Sequence, residues 1–386
     1  MFVRDRSFLS RLLASVAALG ILLVAVPQFK AADTLPTQIS DETYWKMVED
    51  FSEDGGFFTS ENFSSNERGY QTLIPKLQTV VKSGGVYLGV GPEQNFQYIA
   101  SLKPKIAFII DIRRQNMIQH LMYKAAFEMS ATRTEFLSIL FSRKRPEGLS
   151  DDASAYQLIA AYRYAPKDDE FAEANRKAIK DTLLKRHGFK LSSDDEATID
   201  HVFDVFAAYG TALNYSANID GSGNPRPSRG GGNNVEYGEL MALVDDNGVN
   251  RSYLSSEESF RYLKELQQKN LLIPVVGNFG GPKAIRAVAQ YLTDHGATVS
   301  AFYLSNVEQY LFRPPQGGPS IDAEFYENVG MLPLDESSTF IRSGNAPVVG
   351  GRGNLTPMMS SIMHVLTAYR EGRIADQRDV ILMSIP

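Results

Sequence analysis

Two short, unbroken apolar runs and the residues that end them constrain this chain most. Val86–Val90 runs into Gly91-Pro92, and Ile106–Ile110 runs into Asp111, with a helix-like stretch at Glu93–Leu102 between them. Strands without polar alternation need cover on both faces, which is the condition of a parallel sheet crossed by helices. The pattern continues with a striped helix at Met117–Met129. It returns further on with a helix at Glu257–Lys269, a strand at Leu271–Val276, a helix at Pro282–His295, a strand at Thr298–Leu304 and a helix opening at Val307–Leu311. The expected fold class is therefore α/β, a Rossmann-like, mostly parallel sheet with helices on both faces.

Other segments punctuate this alternation. Asp41–Phe51 reads as a short helix carrying the only tryptophan, Trp45, and Glu67–Lys82 as a helix with Leu73, Leu77, Val80 and Val81 on one face. The Gly-, Ser- and Asn-rich stretch 52–66 is loop, and its Phe57, Phe58 and Phe63 suit either a lid or an ordinary loop anchored by aromatics. Residues of about 130–215 have helical character without clear strands, so a helical insertion is expected there, followed by a flexible loop at 216–234. Asp168 and Asp194 mark helix starts, Phe340 and Ile341 a late strand, and Met358–Arg370 a closing helix. At 386 residues the chain suffices for one large α/β domain, read here as 41–386.

The N-terminus carries a targeting signal. Arg4, Arg6 and Arg11 precede the apolar run 12–26, and Ala31 and Ala32 follow it. Basic, apolar and small-residue regions in that order describe a signal peptide over 1–32. An uncleaved inner-membrane anchor through 12–26 is the alternative, because Phe29 or Lys30 falls where a small residue is preferred for cleavage. The arginine bias sends the remaining chain outward, so an exported, periplasmic or inner-membrane-anchored protein is expected. It is cytoplasmic if this segment is no functional signal.

Composition narrows the chemistry. The formal charge of −6 argues against a nucleic-acid partner. With no cysteine in the chain, disulfides, thiolate catalysis and cysteine-ligated metal drop out. The motifs GxSxG, HExxH and GxxxxGK[ST] are absent, and the five histidines show no ligand spacing, so no metal site is expected.

The string GGVYLGVGPEQN, residues 84–95, carries the functional signal. Gly89 and Gly91 stand where a buried strand turns into a helix, a position where a missing Cβ lets backbone approach a ligand. Asp111 ends the next strand twenty residues after Gly91. In this fold an acid there accepts hydrogen bonds from a ribose diol. Two further turns belong to the same rim: VVGNFGGPKAIR, with Asn278 and Gly280, and YLSNVEQY, with Ser305, Asn306 and Glu308.

These features resemble the cofactor site of class I S-adenosylmethionine-dependent methyltransferases, over roughly Tyr70–Glu128 and Glu257–Leu311. The strings VYLGVGPEQNF, FIIDIRRQN and FYLSNVEQYLF also resemble a group of bacterial proteins of unassigned function. The first resemblance implies a small-molecule nucleoside cofactor, S-adenosylmethionine. Gly89, Gly91, Glu93 and Asn95 would lie around its aminoacyl part, Asp111 would hold its ribose, and Arg113 would cover the adenine or pair with an anion. On the residues themselves, Asn278 and Gly280 complete the rim, and Glu308 reads either as a general base or as an N-terminal carboxylate favoured by the helix dipole. Tyr87 stands where such enzymes usually carry an acid, and Gln94 where a third glycine is common. That departure keeps open an exported or membrane-tethered binding protein on the same scaffold without methyl transfer. A nicotinamide oxidoreductase has less support, since GxGxxG is incomplete and no Tyr-x-x-x-Lys pair stands out.

Overall fold

A computed structural model describes residues 33–226, 235–313, 317–345 and 355–385. The segment 1–32, read above as a signal or anchor, and part of the loop 216–234 lie outside the described residues. Among the described residues, no helix is long and apolar enough to cross a membrane.

The strands are β1 (Val86–Gly89), β2 (Ile106–Asp111), β3 (Leu272–Val276), β4 (Val299–Ser305), β5 (Thr339–Asn345) and β6 (Leu355–Ser361). They form one six-stranded sheet in the order β3-β2-β1-β4-β5-β6. All neighbours pair in parallel except β5 and β6. Every residue of β1, β2 and β3 is buried, as continuous apolar strands require. Pro274 and Pro357 fall in the two edge strands, β3 and β6, where a missing N–H leaves no ladder bond unmade.

The helices in chain order are α1 (Asp41–Phe51), α2 (Tyr70–Val80), α3 (Gln94–Leu102), α4 (Arg114–Met129), α5 (Arg133–Phe141), α6 (Ala155–Arg163), α7 (Asp169–Asp181), α8 (Ser193–Tyr209), α9 (Tyr237–Ala242), α10 (Glu257–Gln268), α11 (Ala284–Asp294), α12 (Glu308–Phe312), α13 (Asp322–Gly330), α14 (Ile362–Arg370) and α15 (Gln377–Leu382). One packed group, α2, α3, α4 and α10, covers one face of the sheet, while α1, α11, α13 and α14 pack together on the other. Right-handed crossovers place them so, because the order of strands reverses between β1 and β4.

Between β2 and β3 the chain leaves the sheet; α5, α7 and α8 stack against α4 and one another, while α6 packs against α9. Local signals set their starts. Ser154 and Ser192 close capping boxes with Gln157 and Asp195, and Asp168 caps α7.

Three boundaries differ from the sequence reading by three residues or more. α2 begins at Tyr70 rather than Glu67, and Val80, 43% exposed, leaves its apolar face. α4 begins at Arg114 rather than Met117. Met358–Ser361 is not helix: it belongs to β6, and α14 starts only after its N-cap, Ser361. The free edge of β5 pairs with this segment from Asn345↔Leu355 to Thr339↔Ser361, and that ladder overrides local helical preference.

Candidate functional site

The strand order reverses between β1 and β4, so the crevice at their carboxyl ends is where ligands of open α/β sheets sit. The turn after β1 bends through Gly91, whose φ of +76° suits glycine. Asn95, fully buried on α3, braces this turn. Its Nδ2 donates to the carbonyls of Val90, Gly91 and Pro92 at 2.9, 3.1 and 2.7 Å, while its Oδ1 accepts from the Tyr87 hydroxyl at 3.0 Å. A Cβ on Gly89 would meet Asn95 Oδ1 at 1.9 Å. The space left by Gly89 thus holds Asn95. His120 Nε2 lies 2.8 Å from the Gly91 carbonyl, and burial pulls that imidazole down to about 4.

Asp111 ends β2, which runs beside β1 with Ile109 opposite Gly89, so glycine turn and acid share one rim. Its carboxylate is occupied. Oδ1 accepts from Arg113 N at 2.9 Å and Nε at 3.1 Å, and Oδ2 accepts from Nη2 at 3.0 Å. Arg113 Nη1 donates to the Glu61 carbonyl, and both partners of this fork are buried.

The turn after β3 holds Asn278 and Gly280 on the same rim, and it too is filled. Glu53 reaches over from the 52–66 loop and accepts from Asn278 N at 3.2 Å and from Lys283 N and Ala284 N at 2.8 Å each. A carboxylate over the first amides of α11 acts as its cap. Glu53→Ala is expected to cost about 1 kcal/mol, read as a lower urea midpoint at constant slope.

Glu308 opens α12, buried beneath β5. Its Oε2 accepts from Arg342 Nε at 2.7 Å, and its Oε1 from Arg342 Nη2 at 3.2 Å and the Tyr326 hydroxyl at 2.7 Å. Both oxygens are engaged, and the residue does not line the cleft described next. This is the arrangement of a structural ion pair rather than of a general base.

Beyond Arg113 the rim opens into a cleft of about 520 Å³, lined by 56–61, 113–115 and 216–218. Its size lies within the range of small-molecule sites. Phe58 packs edge-on against Tyr310 at 5.3 Å and lies 5.9 Å from the Arg113 guanidinium, whereas Phe57 is 72% exposed. Phe63 is buried against His201 and Phe206, and its carbonyl accepts from Gln119. The aromatic segment therefore anchors the loop with two rings and leaves the third free.

Glu93, read from sequence as a cofactor residue, points instead into the loop. Its Oε1 accepts from the Ser64 hydroxyl at 2.8 Å and Ser65 N at 3.1 Å, and burial raises its carboxyl to about 7. Glu67 accepts from the Tyr303 hydroxyl at 2.9 Å and that of Ser305, a residue at φ +51°, and burial raises it as well. The sequence reading missed Glu53, Glu61, Ser64, Ser65 and Glu67. Only the acidity of Glu53 and Glu61 within a small-residue loop could have drawn notice; nothing local marked Ser64, Ser65 or Glu67. Among the described residues, no three His, Asp or Glu side chains gather as a metal site.

A mostly parallel, doubly wound sheet with a glycine turn and an acidic strand end on its carboxyl rim places this chain among Rossmann-like α/β proteins. Within that class it belongs to the family described as Domain of unknown function (DUF7790), whose model matches residues 62–367. No curated protein matches the chain.

Proposed function

We propose that this is a methyltransferase-like protein that binds a nucleoside-type ligand of the S-adenosylmethionine class at the carboxyl rim, in the cleft beside Arg113. One observation carries the reading: the Gly89–Gly91 turn and Asp111 end adjacent parallel strands, next to a cleft of about 520 Å³. In a bound state Asp111 holds the ribose and the lining residues 56–61 enclose the ligand. S-adenosylmethionine would supply an activated methyl group, and the chain's part would be to align an acceptor with it.

Binding without transfer is a second reading. The tyrosine at position 87, where such enzymes usually place an acid, favours it. Fractionating the tagged full chain separates the two. Recovery outside the inner membrane favours binding alone, and cytosolic recovery favours transfer.

Titration calorimetry of the full chain with S-adenosylmethionine and S-adenosylhomocysteine tests the site itself. Wild type is expected to release heat with at least one of them, and Asp111→Ala to bind at least about tenfold more weakly, or about 1.4 kcal/mol. Folded wild type giving no heat with either ligand sinks the proposal.

A further inference from the structure

Arg113 separates Asp111 from the cleft. Arg113 is 6% exposed, with Nε and Nη2 on the Asp111 carboxylate, Nη1 on the Glu61 carbonyl and the Phe58 ring 5.9 Å away. Arg113 lines the cleft and Asp111 does not. A sugar can reach the acid only when this side chain lets go.

Releasing it has a consequence for the ligand. A neutral nucleoside that takes both Asp111 oxygens leaves a buried guanidinium without its counter-charge, and breaking such a pair from one side is strongly unfavourable. A ligand that brings its own anion offers the fork a new two-pronged partner, since phosphate and carboxylate both match guanidinium geometry. The neighbouring Arg114 is committed elsewhere: its Nε and Nη2 donate to Asp195 at 2.6 and 2.8 Å. Arg114, half-exposed on the same cleft, keeps Asp195 whatever binds, so Arg113 is the cleft cation that loses its partner when a sugar takes Asp111.

We infer that the site selects acidic nucleosides, those bearing a phosphate or carboxylate, and that Arg113 enforces the choice by passing from Asp111 to the ligand's anion. This rests on the nucleoside reading above and adds a specificity determinant to it.

Calorimetry of the full chain with adenosine, adenosine monophosphate and S-adenosylhomocysteine tests it. Wild type is expected to bind at least one acidic ligand about tenfold or more tightly than adenosine, which is about 1.4 kcal/mol. Preference for the monophosphate identifies phosphate as the anion, and preference for S-adenosylhomocysteine identifies carboxylate. Arg113→Ala is expected to bind adenosine more tightly than wild type does, because the acid is uncovered, and to lose the preference for the acidic ligands. Arg113→Gln, which keeps length and hydrogen bonding without charge, should lose the same preference, and it serves if the alanine variant does not fold. Wild type binding all three alike, or either folded variant keeping the wild-type ratio, overturns the inference while leaving a nucleoside site in place. No heat from any of the three ligands, with wild type or variant, overturns the nucleoside reading itself.

Discussion

Arg342→Ala is expected to lower the unfolding free energy by about 3–5 kcal/mol, the usual consequence of stripping one partner from a buried ion pair. Arg342 is 1% exposed on β5. Besides its two contacts to Glu308, it donates to Ser360 on β6 and, at 2.8 Å, to Ser384 beyond α15, and its guanidinium lies 4.9 Å from the Phe340 ring. Truncation leaves a buried carboxylate facing only the Tyr326 hydroxyl and removes the side-chain bonds from β5 to Ser360 and Ser384. The companion variant, Glu308→Gln with Arg342→Met, should recover much of the loss, because a pair replaced from both sides no longer strands a charge. Urea melts at constant slope give the comparison. A single-variant loss under about 1 kcal/mol would mean that Glu308 does not depend on its arginine.

The second large effect depends on pH. Burial raises the Glu93 carboxyl from 4.5 to about 7, so between those values the folded chain holds a proton that the unfolded chain has released. Stability linked to this group is therefore fully present below 4.5 and is lost as pH rises through 7. The displacement corresponds to roughly 3 kcal/mol at 1.36 kcal/mol per unit. Glu93→Gln retains an oxygen for Ser64 and Ser65 but cannot ionise. Wild type is expected to fall by roughly that amount relative to this variant between pH 4.5 and 8, in paired denaturation series. His120 acts with the opposite sign: its folded value of about 4 lies below its ordinary 6.5, so its contribution is lost as pH falls through that window. The paired comparison cancels it. Parallel pH curves for wild type and Glu93→Gln would show that the carboxyl is not confined as its burial implies.

Much of the architecture was legible because β1 and β3 are apolar along their whole length, and β2 up to its final Asp111, a pattern that a doubly covered sheet accepts. β6 was not. Its Thr-Pro-Met-Met-Ser-Ser runs directly into the helical Ile362–Arg370, and only the open edge of β5, supplied by the rest of the fold, makes it a strand. The rim was legible from the Gly91-to-Asp111 spacing, which the register of two adjacent parallel strands dictates. Its state of occupation was not. The Glu53 contact to Lys283 spans 230 positions, and that of Ser64 to Glu93 spans 29. Neither leaves a local period to read. Arg113 sits two residues from its partner, yet the same letters describe an arginine turned to solvent. Whether it folds back onto Asp111 depends on the Glu61 carbonyl waiting above it.

The loop 52–66 has a further meaning for anyone who would redesign this molecule. Glu53 at one end staples the β3 turn, and Ser64 and Ser65 at the other staple the helix that follows the β1 turn. A segment that composition marks only as loop is thus the keystone of an arch. Trimming it would release two turns of the rim at once, and grafting the sheet without it would transplant a rim that had never stood alone.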